Sequence, residues 1–267
     1  MTNKSSQKTD TPEYLKKKAF FQSVLTIYGR KPVLEALQDP SAKPLKLHLA
    51  DSNKDSEAIT QLKELALKKG AEIVYHSKNE LSRISKNAKQ DQGVCVDIKC
   101  DQYVSEDTFF EEHLKKNRAL EFIALDGITN PQNLGMIIRS AAAGFIDGII
   151  LPEKGCAQID PLVIKASAGA VFKAKIIRCK DLHSFLKRFK ETASVSIITL
   201  DLNASLEFST LNTLEGNKVF VLGNETKGIS SETSALSDYA TKIPMNNNIE
   251  SLNVAITAAL ISFRKQL

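Results

Sequence analysis

Three separated segments carry the polar side chains that could do chemistry together. The first is Asn130-Pro-Gln-Asn-Leu-Gly-Met-Ile-Ile-Arg139, which holds Asn133 and Arg139. The second is Leu222-Gly-Asn-Glu225, and the third runs from Ile243-Pro-Met245 to Ser251-Leu-Asn253. Arg139 lies one helical turn beyond Gly135 and runs into Ala141-Ala-Ala-Gly144, a stretch almost without side-chain bulk. A cation on a helix of small residues has room to meet a partner, which is unusual for a packing helix.

Each segment follows an apolar run that reads as a strand. Phe122 to Leu125 ends in Asp126-Gly127, Lys218 to Leu222 ends in Gly223-Asn-Glu-Thr-Lys-Gly228, and Tyr239 to Ile243 ends in Pro244-Met245. Pro131 and Asn133 suit a helix start, by fixed φ and by side-chain capping. Residues 251 to 263 form an apolar, alanine-rich helix. From Leu120 onward, strands read as 121–126, 147–151, 174–178, 194–200, 218–222 and 239–243, with helices between them. That alternation predicts an α/β fold on a parallel, doubly wound sheet, which binds ligands beyond the carboxyl ends of its strands. No G-x-G-x-x-G follows a strand and no G-x4-G-K-[ST] occurs, so the common dinucleotide and P-loop sites are disfavoured.

At these residues the chain resembles the SpoU (TrmH-like) branch of the SPOUT RNA methyltransferases. That branch has Asn-x-Gly-x3-Arg, Gly-x-Glu-x2-Gly and Ile-Pro-Met…Ser-Leu-Asn-Val in this order, and all three are present. The resemblance covers roughly residues 120 to 267. A weaker one covers about 24 to 100, at Tyr28-Gly-Arg30-Lys-Pro-Val33 and Gln92-Gly-Val94. It implies a C-terminal SPOUT domain with a trefoil knot, preceded by a small α/β RNA-binding domain. The implied activity is S-adenosylmethionine-dependent 2′-O-ribose methylation of structured RNA by a homodimer.

The resemblance also assigns roles. Arg139, Asn133, Glu225, Ser251 and Asn253 become the catalytic set. Arginine, with a pKa above about 12, is a poor base in water, which leaves two roles open to Arg139. It gives up a proton in a desolvated site, or it holds a phosphate and stabilises the forming alkoxide. Asn133 is either a helix cap or a positioner of substrate or of Arg139. Glu225 either neutralises Arg139, caps the helix near Ser230, or serves the active site as the family implies. Ser251 and Asn253 are natural capping residues that the family places beside the target nucleotide. Gly223, Ile243 and Leu252 match positions where the family holds S-adenosylmethionine, and Leu200 and Met245 add apolar walls. Ala255 stands where many members have a second serine, and Asn246-Asn-Asn248 replaces a loop of smaller residues.

The 267 residues suffice for one large or two modest domains with real cores. A hydrophobic fraction of 42% and a charged fraction of 25% are ordinary for a soluble chain. The net charge of +5 and pI near 8.9 allow a polyanionic partner without requiring one. Residues 1–20 read as a disordered basic arm, 21–100 as the small α/β domain, 101–118 as a linker and 119–267 as the methyltransferase domain. Arg30 and Lys31, at a strand-to-helix turn, are the candidate RNA contacts. Cys95, Cys100, Cys156 and Cys179 show no C-x-x-C pairing and the four histidines are scattered, so no metal site is expected. The polar N-terminus and the lack of a long apolar run point to a cytoplasmic protein with no membrane span. The two-domain layout looks more like the ribosomal-RNA members of the family than the transfer-RNA members. The alternative from a different class is a non-catalytic RNA-binding or ribosome-assembly protein on the same fold.

Overall fold

The computed structural model describes residues 23–54, 56–113, 118–201, 204–247, 249 and 251–266. The basic arm expected at 1–20 lies outside the described residues.

The first sheet has four strands, β1 (Val24–Tyr28), β2 (Lys43–Ala50), β3 (Glu72–His76) and β4 (Val94–Lys99), in the order β1-β4-β2-β3. Strand β4 runs antiparallel to both β1 and β2, and β2 is parallel to β3. Helices α1 (Arg30–Gln38) and α2 (Glu57–Lys68) turn Val33, Ala36, Leu37, Ile59, Leu62 and Ala66 inward at three- and four-residue spacing. These meet the alternate strand residues Leu25, Ile27, Leu47, Leu49, Val94, Val96 and Ile98. Helix α3 (Lys78–Ser85) starts with a capping box between Ser77 and Glu80.

The second sheet has eight strands, all parallel. They are β5 (Tyr103–Ser105), β6 (Glu121–Asp126), β7 (Gly148–Pro152), β8 (Ile176–Cys179), β9 (Val195–Leu200), β10 (Leu206–Glu207), β11 (Asn217–Gly223) and β12 (Tyr239–Lys242). Their order is β10-β12-β9-β11-β6-β7-β8-β5. Both faces are buried. Ile123 and Leu125 of β6 join the core under helices α4 (Pro131–Ala143), α5 (Pro161–Ala166) and α7 (Val254–Phe263), while Phe122 and Ala124 join the one under α6 (Leu182–Thr192). Two-sided burial is why these strands read as continuous apolar runs rather than as alternation.

The segment expected to be a linker, 101–118, is corrected in part. Tyr103–Ser105 pairs in parallel with β8 as the edge of the sheet. Phe109 and Phe110, on the helical segment that follows, enter the aromatic cluster with Phe122, Phe185 and Phe189. Three residues of strand are too short to leave a periodic signal against the surrounding charges.

The direction of strand addition reverses beside β6. The chain steps one way through β7 and β8, then crosses to the other side of β6, where β9 and the edge strand β10 come first and β11 and β12 insert later, β11 between β6 and β9 and β12 between β9 and β10. Strands β6 and β11 are hydrogen-bonded neighbours, with Asp126 opposite Gly223. Their carboxyl ends therefore open onto the crevice where such sheets bind ligands.

Candidate active site

Three loops converge at that crevice, and their own side chains stitch them together. After β6, Asn130 caps α4 by accepting from the backbone N–H of Gln132 at 2.8 Å and of Asn133 at 3.3 Å, with Pro131 at the first helical position. After β11, the Asn224 side chain accepts from Thr226 and Lys227 at 2.9 and 3.0 Å and donates to the carbonyl of Gly127 at 2.9 Å. Asp126 accepts from both the backbone N–H and the hydroxyl of Ser230, at 2.8 and 2.7 Å. Before α7, Asn253 caps the helix by accepting from Ala255 N–H at 2.8 Å.

The joining residue is Asn133. It is 6% exposed, and its amide donates to a Glu225 carboxylate oxygen. Its carbonyl oxygen accepts from the Asn253 amide at 3.1 Å. One side chain thus ties the loop after β6 to the other two. The capping role falls to Asn130, so Asn133 is free for positioning. Glu225 is bonded to Asn133 and not to Arg139. Asn253, and not Ser251, is the cap of α7, and Ser251 is exposed at the cavity wall.

Beside this network lies a cavity of about 400 Å³. All five expected cofactor residues line it: Leu200, Gly223, Ile243, Met245 and Leu252. Glu225, Ser251 and Asn253 share the same wall. The volume falls in the range of ligand pockets, and the lining mixes apolar walls with strand-end backbone, a suitable chemistry for an adenine ring and an amino-acid tail. Asp201, Thr241 and Lys242 also line it, though no motif marks them. Position alone was the available signal, since each lies within the last two residues of a strand or follows one. The glycine at 223 has a second reason as well. A Cβ there would lie 2.5 Å from the Gly228 carbonyl carbon and 2.6 Å from Ile229 N, so the turn carrying Glu225 could not close.

Arg139 is elsewhere. It is exposed on α4, lies outside the lining of the cavity, and has no hydrogen bond or ion pair among the described residues. Six residues separate it from Asn133, about 9 Å along the helix. Gly135, expected to leave space on its face, is instead filled from the other side: a Cβ would lie 2.5 Å from Ala166 Cβ and 2.7 Å from the Val163 carbonyl. It brings α5 against α4. Helices α4 and α7 run side by side, with Asn133 against Asn253 at one end and Gly144 against Ser262 at the other. Their positive N-terminal ends both point at the site, which favours an anionic group there.

The four cysteines are buried free thiols. Burial pushes Cys95, Cys100 and Cys179 up to about 12 and raises Cys156, so all four are protonated and inert at neutral pH.

A model of the SpoU rRNA methylase family matches residues 121–263. The chain belongs to the SpoU rRNA methylase family. Residues 26–104 match the substrate-binding domain of RNA 2′-O-ribose methyltransferases. A Bacillus subtilis protein assigned to the TrmH family of tRNA/rRNA methyltransferases is 29% identical over 239 residues, covering 89% of this chain and 93% of its own. An uncharacterised tRNA/rRNA methyltransferase of Mycobacterium avium is 30% identical over 238 residues, 88% of this chain and 75% of its own. The AdoMet-bound rRNA methyltransferase of Sinorhizobium meliloti has the same fold, with a TM-score of 0.62 at 24% identity over 96% of this chain and 91% of that one. AviRb of Streptomyces viridochromogenes, also in complex with AdoMet, gives 0.61 at 20% over 96% and 94%. This SpoU protein is an RNA methyltransferase, and its cofactor is S-adenosylmethionine.

Proposed function

We propose that the protein methylates the ribose 2′-hydroxyl of structured ribosomal RNA in the cytoplasm, as a homodimer on a knotted fold. The observation that carries the reading is the Glu225–Asn133–Asn253 network standing on the wall of the cofactor cavity. When bound, S-adenosylmethionine supplies an electrophilic methyl carbon on a sulfonium. The chain's own task is to place a ribose oxygen in line with that carbon, exclude water and manage the hydroxyl proton. Asn133 fixes Glu225 and Asn253 relative to each other, and Ser251 adds a hydroxyl at the mouth.

The position of Arg139 supports the dimer. Around it, α4 exposes Met136 (40%), Ala142 and Ala143, with Phe145 (47%) just beyond, and the parallel α7 exposes Ile256 (52%). Helix α7 is apolar on every side, which suits a helix buried on every side. A second copy covering this strip brings its Arg139 toward a site whose own Arg139 lies outside the cavity lining. There it holds a phosphate or the forming alkoxide.

The small domain supplies the RNA grip. Arg30 and Lys31 sit at the start of α1, on the same end as exposed Lys54, Lys86 and Lys89. The Gln92 side chain accepts from Arg30 N–H at 3.0 Å, Asn53 accepts from the Arg30 guanidinium at 3.3 Å, and Asn53 donates to Gly93 O at 2.6 Å. Lys86 and Gln92 both hold left-handed backbone there, at φ 53° and 52°, and such strain gathers at functional sites.

The test is single-turnover transfer of labelled methyl to ribosomal RNA, with calorimetric titration of the cofactor on the same proteins. Arg139→Ala should abolish transfer and leave cofactor affinity intact, and Arg139→Lys should fare little better, because a point charge does not replace a planar fork. Mixing Arg139→Ala with Leu252→Arg subunits, the second blocked in the cavity, should restore part of the activity. No restoration in mixed dimers would place Arg139 in its own subunit's site.

A further inference from the structure

One line of polar side chains in the small domain belongs to neither the cofactor cavity nor the Arg30 cluster. Thr26 of β1, Asp97 of β4, His48 of β2 and His76 of β3 form a hydrogen-bonded chain across all four strands. The Thr26 hydroxyl donates to Asp97 Oδ1 at 2.7 Å. His48 Nε2 lies 3.1 Å from Asp97 Oδ2, and His48 Nδ1 lies 2.9 Å from His76 Nε2. His48 is 6% exposed, whereas His76 is partly open to solvent.

With His48 neutral, the donors and acceptors fix where the protons sit. An ionised carboxylate only accepts, so His48 donates through Nε2 and keeps a lone pair on Nδ1. His76 must then donate through Nε2, which leaves its Nδ1 as the ring nitrogen of this chain without a partner among the described residues. A proton from water loads there. The imidazolium so formed faces Asp97 through the hydrogen bonds of His48.

The outer end of this line opens onto the RNA-binding end. His76 O accepts from Asp51 N–H at 2.8 Å, and two residues on, Asn53 holds the Arg30 guanidinium. We infer that His76 is a further contact for RNA phosphate, made cationic through the Asp97–His48–His76 relay, so that the grip on RNA depends on protonation. The inference rests on the RNA-binding reading of the small domain. Other charged groups stand beside the relay: Lys46 of β2 acts on Asp97 and pairs with Glu72 at 3.1 Å, Glu80 of α3 acts on His76 and is itself faced by Arg83, and the backbone N–H of Asp51 bonds to His76 O. Imidazole is the side-chain type whose charge changes near neutral pH, so the change is assigned to His76.

The test is filter binding of the full-length protein to deproteinised bacterial ribosomal RNA between pH 8 and 6. Wild-type affinity should rise by about fivefold to tenfold, and its salt dependence should steepen by about one phosphate contact at pH 6. His76→Gln should be flat over the range, and Asp97→Asn should move the rise to lower pH. Far-ultraviolet circular dichroism and thermal unfolding check that each variant is folded. If His76→Gln follows the wild-type curve, the inference is overturned. Nitrogen-15 spectra of the imidazoles read the same claim without RNA: both rings should be Nε2–H tautomers at pH 8, and His76 doubly protonated at pH 6. A His76 that stays neutral at pH 6 also overturns it. Wild-type protein that binds no RNA at either pH instead removes the RNA-binding reading, while the spectra still report on the relay.

Discussion

Replacing Glu121 by glutamine removes one charge and almost no volume, yet it should cost about 3–5 kcal/mol of stability at neutral pH. Glu121 opens β6 and is 2% exposed. Its Oε2 accepts from the Arg264 guanidinium, and its Oε1 lies 3.1 Å from Lys265 Nζ and 3.5 Å from Lys218 Nζ. Arg264 and Lys218 are themselves 4% and 5% exposed. Arg264 also stacks over Phe220 at 4.5 Å and donates to the Ile261 carbonyl at 2.8 Å. Glutamine leaves two buried cations without a counter-charge, and a loss of about 4 kcal/mol is roughly a thousandfold in the folded-to-unfolded ratio. Burial pushes the Glu121 carboxyl upward, but the hydrogen bonds and charges of Arg264 and Lys265 outweigh it and hold the group below its usual range. A depressed folded pKa contributes stability that is complete above the unfolded value of about 4.3 and is lost as pH falls through the folded value. Guanidinium unfolding followed by far-ultraviolet circular dichroism should therefore show a constant gap between wild type and variant from pH 6 to 8, closing below about pH 4. A gap under about 0.5 kcal/mol at pH 7, the scatter of ordinary surface substitutions, would refute the reasoning. So would a gap that widens in acid. Cofactor affinity should fall with stability, because the same cluster holds the end of the helix that Asn253 begins.

Asn133→Ala removes the bond to Glu225 and orphans the Asn253 amide, so kcat should fall about 10- to 100-fold, with cofactor affinity changed much less; steady-state kinetics beside calorimetry would show it. Gly135→Leu drives a side chain into Ala166 and the Val163 carbonyl, and thermal unfolding should report a loss of about 1–3 kcal/mol or more. Asp126→Ala takes away the acceptor for Ser230 N–H and Oγ, and denaturant unfolding should show about 1–2 kcal/mol lost.

Much of this was legible in the residues, for identifiable reasons. The central strands were readable because burial on both faces writes long apolar runs, and the three polar segments were readable because each follows such a run directly. Strands β5 and β10 were not, since three and two residues carry no period. Asn130 and Asn133 are equally good caps by type, and only the fold decides that the first caps while the second is buried between two loops. Gly135 and Gly223 were read as room for a ligand or cation. The structure gives both a nearer cause, contact with Ala166 and with Gly228, because one sequence does not show what lies across a glycine. The links Thr26–Asp97, Asp97–His48 and His48–His76 bridge 71, 49 and 28 residues and leave no local pattern.

The central claim, methyl transfer to a ribose oxygen of RNA, is tested most directly by the chemical position of the transferred group. Purified protein, labelled S-adenosylmethionine and deproteinised ribosomal RNA would be incubated, and the RNA digested to nucleosides and separated by mass spectrometry. The account predicts label in a single 2′-O-methylribonucleoside, present with wild type and absent with Arg139→Ala. Label on a base, or a wild-type protein that binds the cofactor and transfers nothing to any RNA, would contradict it.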